Sequence, residues 1–159
     1  MALEGMPGTL SHILGAILAG VMALVAAASS GTTGTQGETG SITGELGYPS
    51  HAVPPLLVYA IRVDVEEPQS RYVRTEFNQL NFTIDGLEPG VYVVVAYLEE
   101  MPSFAGGYTE MVPCGLTVEC TDHTLIPIAV GPGETVEGIA VRDWYAPPGT
   151  FPERPREPE

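Results

Sequence analysis

From residue 41 onward the apolar side chains recur at a period of two, and each run ends within a few positions at glycine or proline. A helix needs a period near 3.6, so this pattern points to short strands half-buried in sheets. Ile42, Gly44, Leu46 and Tyr48 alternate with Thr43, Glu45 and Gly47, and Pro49 closes the run. Leu57, Tyr59, Ile61, Val63 and Val65 form the apolar side of a second strand, with Pro54 and Pro55 at its start and Arg62 and Asp64 facing outward at its end. Tyr72 to Phe77 is a weaker third strand, and Leu80, Phe82 and Ile84 mark a fourth. Val91 to Leu98 is apolar on both sides, which places the fifth centrally with both faces covered. Thr124 to Val130 and Thr135 to Arg142 complete the set, joined by Gly131-Pro132-Gly133 at hairpin length. Pro127 has no N–H to donate, which assigns its strand to a sheet edge. Seven short strands in about 100 residues describe an all-β, seven-stranded immunoglobulin-like or prealbumin-like sandwich.

The ends of the chain read differently. Ile13 to Ala28 is almost wholly apolar and runs into Ser29-Ser30. Residues 1–28 therefore read as one hydrophobic helix with the small residues of a signal-peptidase site. Cleavage after Ala28 releases the protein; retention leaves a membrane anchor at residues 13–28, although that run is shorter than the roughly 20 apolar residues that span a bilayer. Either way the domain is secreted or sits on the extracellular side of the cell envelope. Residues 29–40, SSGTTGTQGETG, are small and polar and form a flexible linker. Residues 41–145 are the sandwich domain, a length that supports one core. Residues 146–159 hold five prolines among fourteen residues, which predicts an extended, mobile tail.

Twenty acidic residues stand against six basic ones, all arginine. This excludes nucleic acid as an expected partner, because that affinity is built on clustered positive charge. Cys114 and Cys120 are the only cysteines. In an oxidising compartment they read as a local disulfide, contributing about 2 kcal/mol by chain entropy. Two free thiols, or half of a metal site, are the alternatives.

Gly40-Ser41-Ile42-Thr43-Gly44, the run NFTIDGLEPGVYVVVAY, and the later Pro-Gly-Glu-Thr-Val-Glu-Gly-Ile together resemble the carboxypeptidase regulatory-like domains, a prealbumin-like family of sandwiches. The likeness spans most of residues 40–142 and centres on the turn formed by Leu87, Pro89, Gly90 and Tyr92. It implies a fold in which Leu87 and Tyr92 plug one end of the sandwich. It implies no shared active site. CnaB-type adhesin domains of similar shape cross-link a lysine, which this chain lacks. The insertion between Glu99 and Asp122 and the DWYAP segment fall outside the family pattern and are where a private function belongs.

Enzymatic chemistry finds little purchase. His12, His51 and His123 lack the close pairing of a zinc site, and no serine stands in a nucleophile-elbow context. His123, beside Asp122, reads as a loop residue satisfied by its neighbours. Calcium is the one cofactor worth testing, through Glu66-Glu67, Glu99-Glu100 or the C-terminal Glu residues, although none of them has a calcium-loop spacing. The candidate ligand-binding residues are Trp144, Tyr145 and Tyr108, with His123 and Asp122, and Phe104 as a further ring outside the strands. Flat rings stack on sugar faces, which makes a carbohydrate-binding module one reading. Trp144 and Tyr145 folded back as a plug over the sandwich is the other. The expected function is a non-enzymatic structural or protein-binding module with a protein or glycan partner at the cell surface. Self-assembly through the edge strand containing Pro127, or through the opposite edge, is the remaining alternative.

Overall fold

A computed structural model describes residues 37–156. The hydrophobic N-terminal helix, its cleavage site and most of the linker expected from the sequence lie outside the described residues. The alternation predicts seven strands; among the described residues eight are present: β1 (Gly40–Leu46), β2 (Leu56–Arg62), β3 (Ser70–Arg74), β4 (Asn81–Leu87), β5 (Gly90–Leu98), β6 (Ala105–Gly107), β7 (Ile128–Val130) and β8 (Thr135–Val141). One four-residue helix, α1 (Met111–Cys114), lies between β6 and β7. The added strand, β6, is only Ala-Gly-Gly and carries no hydrophobic alternation to announce it.

The strands form two sheets, one ordered β4-β1-β8 and the other β3-β2-β5-β6. β7 joins the second sheet by pairing Gly90–Tyr92 of β5, on the same edge where β6 pairs Val95–Tyr97. β1 is antiparallel to β4 and parallel to β8. The β1–β8 approach is close enough that a Cβ at Gly44 would fall 1.9 Å from the Ile139 carbonyl oxygen. Side chains from both sheets fill the space between them, including Ile42, Val58, Ile84, Val94 and Val141, all essentially inaccessible to water. The Leu87 and Tyr92 pair of the reversing turn is buried in this core, and the Tyr92 hydroxyl donates to the Glu88 carbonyl at 2.7 Å. Arg62 fastens the same turn, donating to Asp64, Glu88 and the Pro89 carbonyl at 2.8, 3.1 and 3.0 Å. That hydrogen bond to Arg62 holds the Asp64 carboxyl below its ordinary range.

Several strand boundaries differ from the sequence pattern, each for a local reason. β2 stops at Arg62, because Arg62 and Asp64 pair across a bend; Val63 is left half-exposed beyond the strand. β3 ends at Arg74, where Thr75 turns inward to bond the Leu56 backbone, and Phe77 lies exposed in the following turn. The predicted strand from Thr124 is regular only over β7. Pro127 precedes that strand instead of lying within it, and the stretch before it pairs with residues 108–110.

β2 is buried on both faces, as is β5. Leu56, Val58 and Ala60 point between the sheets, whereas Leu57, Tyr59 and Ile61 point to the opposite side and join Val93, Val95 and Tyr97 of β5. This second apolar face requires a cover of its own. Among the described residues Ala105, Leu125 and Phe151 pack against it. The tail predicted to be free therefore lies against the sheet over residues 151–154: the Tyr97 hydroxyl donates to the Pro152 carbonyl at 2.8 Å, and Arg154 donates to the Glu99 carbonyl at 3.1 Å.

The contact at Gly44 yields a direct test. Gly44→Ala separates β1 from β8 and lowers unfolding free energy by roughly 3 kcal/mol, the upper range for overpacking. Urea titration measures this, with Thr43→Ala on the neighbouring half-exposed position as the near-neutral comparison.

Candidate functional site

The residues singled out in the sequence converge where β8 ends. Asp143 follows β8 and forms an antiparallel bridge with Gly107 of β6, each backbone N–H donating to the other's carbonyl at 3.2 and 2.9 Å. Its carboxylate is fully buried. Such a group is tolerated only when donors replace the lost water. Three do: Oδ2 accepts from the Thr109 hydroxyl and from His123 Nδ1, both at 2.7 Å, and Oδ1 accepts from the Tyr145 backbone N–H at 3.1 Å.

This knot joins three segments distant in sequence. Thr109 follows β6, His123 follows Cys120, and Asp143 follows β8. The Thr109–Leu125 bridge closes the neck of the loop between them. The loop itself contains α1 and is fastened by a Cys114–Cys120 disulfide. His123 is satisfied as the sequence predicts, although its partner is Asp143 and not the adjacent Asp122. Asp122 instead accepts from the Thr124 N–H at 2.9 Å, and the Thr124 hydroxyl together with that N–H holds its carboxyl below the ordinary range. The two neighbours are thus used separately, one inside the knot and one in a surface turn. Among the described residues no group of three or more His, Cys, Asp or Glu side chains is arranged to hold a metal ion.

Immediately after Asp143 the chain straddles β6. Successive residues of a strand face opposite sides, and β6 presents two glycines there. On one side the Trp144 indole lies across Gly106, where a Cβ would come within 2.4 Å of the ring. On the other, Phe151 and Leu125 cover Gly107, where a Cβ would stand 2.9 and 2.8 Å from them. The chain turns between these two contacts through Pro147-Pro148-Gly149.

Trp144 is buried, with its indole N–H donating to the Gly47 carbonyl. Its ring meets Tyr48 edge-on at 5.0 Å and stacks with Phe104 at 5.5 Å and 25°. Tyr145 is 60% exposed, and Tyr108 is half-buried against the core between the sheets. Trp144, Tyr145 and Tyr108 therefore do not share one exposed platform. The ring that Trp144 does share a surface with is Phe104, 37% exposed on the loop before β6.

Phe104, Trp144, Tyr97 and Phe151 line a cleft of about 740 Å³ between that loop and the returning tail. Prolines 102, 147, 148 and 152 complete most of its apolar wall, and Glu153 and Arg154 are its charged residues. The volume lies within the range of ligand-binding clefts. Burial pushes the Tyr97 phenol well above its ordinary range. Asp143, Gly106 and Gly107 lie in the two segments to which the sequence assigns a private function, but the sequence singles out none of the three as part of the site. A hint lay only in the unusual Gly-Gly pair within a predicted irregular segment.

Two outcomes follow. Gly106→Val forces the indole off β6 and shifts the emission of Trp144, the sole tryptophan, to the red relative to the native protein. Tyr97 stabilises the fold in its neutral form, so its contribution is present below the unfolded phenol value of about 10 and is lost as pH rises through the higher folded value. Urea unfolding at neutral and strongly alkaline pH measures this, with the fall smaller in Tyr97→Phe. No family model, curated protein or solved structure matches this chain.

Proposed function

We propose that this chain is an exported, non-enzymatic β-sandwich module of the carboxypeptidase regulatory-like, prealbumin-like type, and that it binds a protein segment in the cleft beside Trp144. The Phe104–Trp144 stack carries this reading. It places a partly exposed aromatic face over a rigid, buried base, in a cleft large enough for several side chains. Interface hot spots have this character: an aromatic anchor held by packing and surrounded by near-neutral contacts that exclude water. The disulfide in the neighbouring loop is compatible with an extracellular location.

Rigidity at the site comes from elements that sequence reading assigned to separate roles. The Asp143 knot holds the disulfide loop, the β6 edge and the start of the tail in one arrangement. A module that binds needs such a fixed base, because ordering a loose one would offset the contact energy.

The test is selection of binders from a displayed random-peptide library, run beside a glycan array, on the purified protein. Peptide binders are expected, with affinity reduced about tenfold or more by Phe104→Ala, as an anchor residue requires. Saccharide binding lost in Phe104→Ala, with no peptide binder, would replace this reading with a carbohydrate-binding one. Binders indifferent to Phe104 would remove the cleft as the site.

A further inference from the structure

We infer that the occupant of this cleft is an extended, proline-containing segment bearing basic residues. The inference rests on the cleft being a protein-binding site and names what it would bind. Three observations carry it.

The first is the state of the polar ends of the cleft's rings. The Tyr97 hydroxyl is engaged by the Pro152 carbonyl, and the Trp144 indole N–H by the Gly47 carbonyl. What these rings turn to the cleft is apolar surface. A saccharide needs its rim of hydroxyls paired as well as its flat side stacked, since unpaired buried hydroxyls are costly. A pyrrolidine ring brings no N–H and no hydroxyl, so it fills aromatic surface without leaving a donor behind.

The second is that the molecule already holds such a segment. Residues 151–154, Phe-Pro-Glu-Arg, run without regular secondary structure across the outer face of β5. Phe151 packs against that face, and the carbonyl of Pro152 is the acceptor for Tyr97. Proline-rich chains dock in aromatic-lined grooves in this extended form. An extended segment of that kind also loses little entropy on docking, being extended beforehand.

The third is charge. Glu153 lines the cleft and is exposed, and exposed Glu100 lies two residues before Pro102, on the loop that forms the opposite wall. Arg154 in the lining donates to the Glu99 carbonyl and keeps its charge, so it balances Glu153 and the negative surplus comes from Glu100 on the rim. The chain as a whole carries a formal charge of −14. An approaching basic segment is attracted both by the rim and by the overall field, and an acidic one is repelled.

The experiment follows Trp144 fluorescence of the full protein during titration with three short synthetic peptides. One is a repeat of Pro-Pro-Arg; in the second alanine replaces each proline; in the third glutamate replaces each arginine. The Pro-Pro-Arg peptide is expected to give a saturable change, with affinity about tenfold above either control. Phe104→Ala is expected to abolish the change, and Glu153→Arg, at an exposed position that does not threaten folding, to reverse the preference between the arginine and glutamate peptides. Equal binding of the alanine peptide would overturn the inference while leaving the cleft a protein-binding site. No response to any of the three would also overturn it. Phe104-dependent binders from the random library would then show that the broader reading survives, and their absence that both fail.

Discussion

Strands β2 and β5 carry apolar side chains on both faces, and a sandwich of two sheets can cover only one of them. The face between the sheets is covered by β1, β4 and β8; the face beyond is left to whatever the rest of the chain supplies. Leu57, Tyr59, Ile61, Val93, Val95 and Tyr97 on that outer side are nearly inaccessible, and exposing six such side chains to water would cost on the order of 10 kcal/mol. The cover therefore has to persist. Leu125, from the start of a predicted strand, and Phe151, from the tail, meet this requirement in part and become members of a third layer.

That layer needs an entry route from β8, on the far sheet, to the outer face of the second sheet. β6 provides it by being narrow. With Gly106 and Gly107 exposing bare backbone on either side, Trp144 closes one side of the edge and Phe151 the other, and the Asp143–Gly107 bridge pairs the edge itself. Unpaired sheet edges invite association with other chains, so this arrangement protects the edge while building one wall of the cleft. The Asp143 carboxylate makes the crossing specific. Its three donors come from separate segments, and any shift of one would strand a buried charge.

Much of the sandwich was legible in the sequence because period-two alternation is a local signal. Ile42 and Leu46, Phe82 and Ile84, and the doubly apolar Val91–Leu98 run all lie where that signal puts them. The Cys114–Cys120 pairing was legible for the same reason, six positions apart in a loop. The candidate site was less so. The period identified one apolar side of β2 and could not say that Leu57, Tyr59 and Ile61 face away from the other sheet, since both sides are apolar. His123 and Asp143 are twenty residues apart, and nothing local marks Asp143 as its partner. The proline-rich composition of the tail does not say where it docks, which is decided by Tyr97 and Gly107, far from it in sequence.

The third layer, the protected edge and the cleft all follow from the C-terminal segment straddling β6. Nuclear Overhauser contacts in the isotope-labelled protein test this most directly. Contacts are expected from the Gly106 α-protons to the Trp144 indole and from the Gly107 α-protons to the Phe151 ring, both at once in the same folded state. Contacts from Trp144 with none from Phe151 would leave the tail off the outer face and contradict the account.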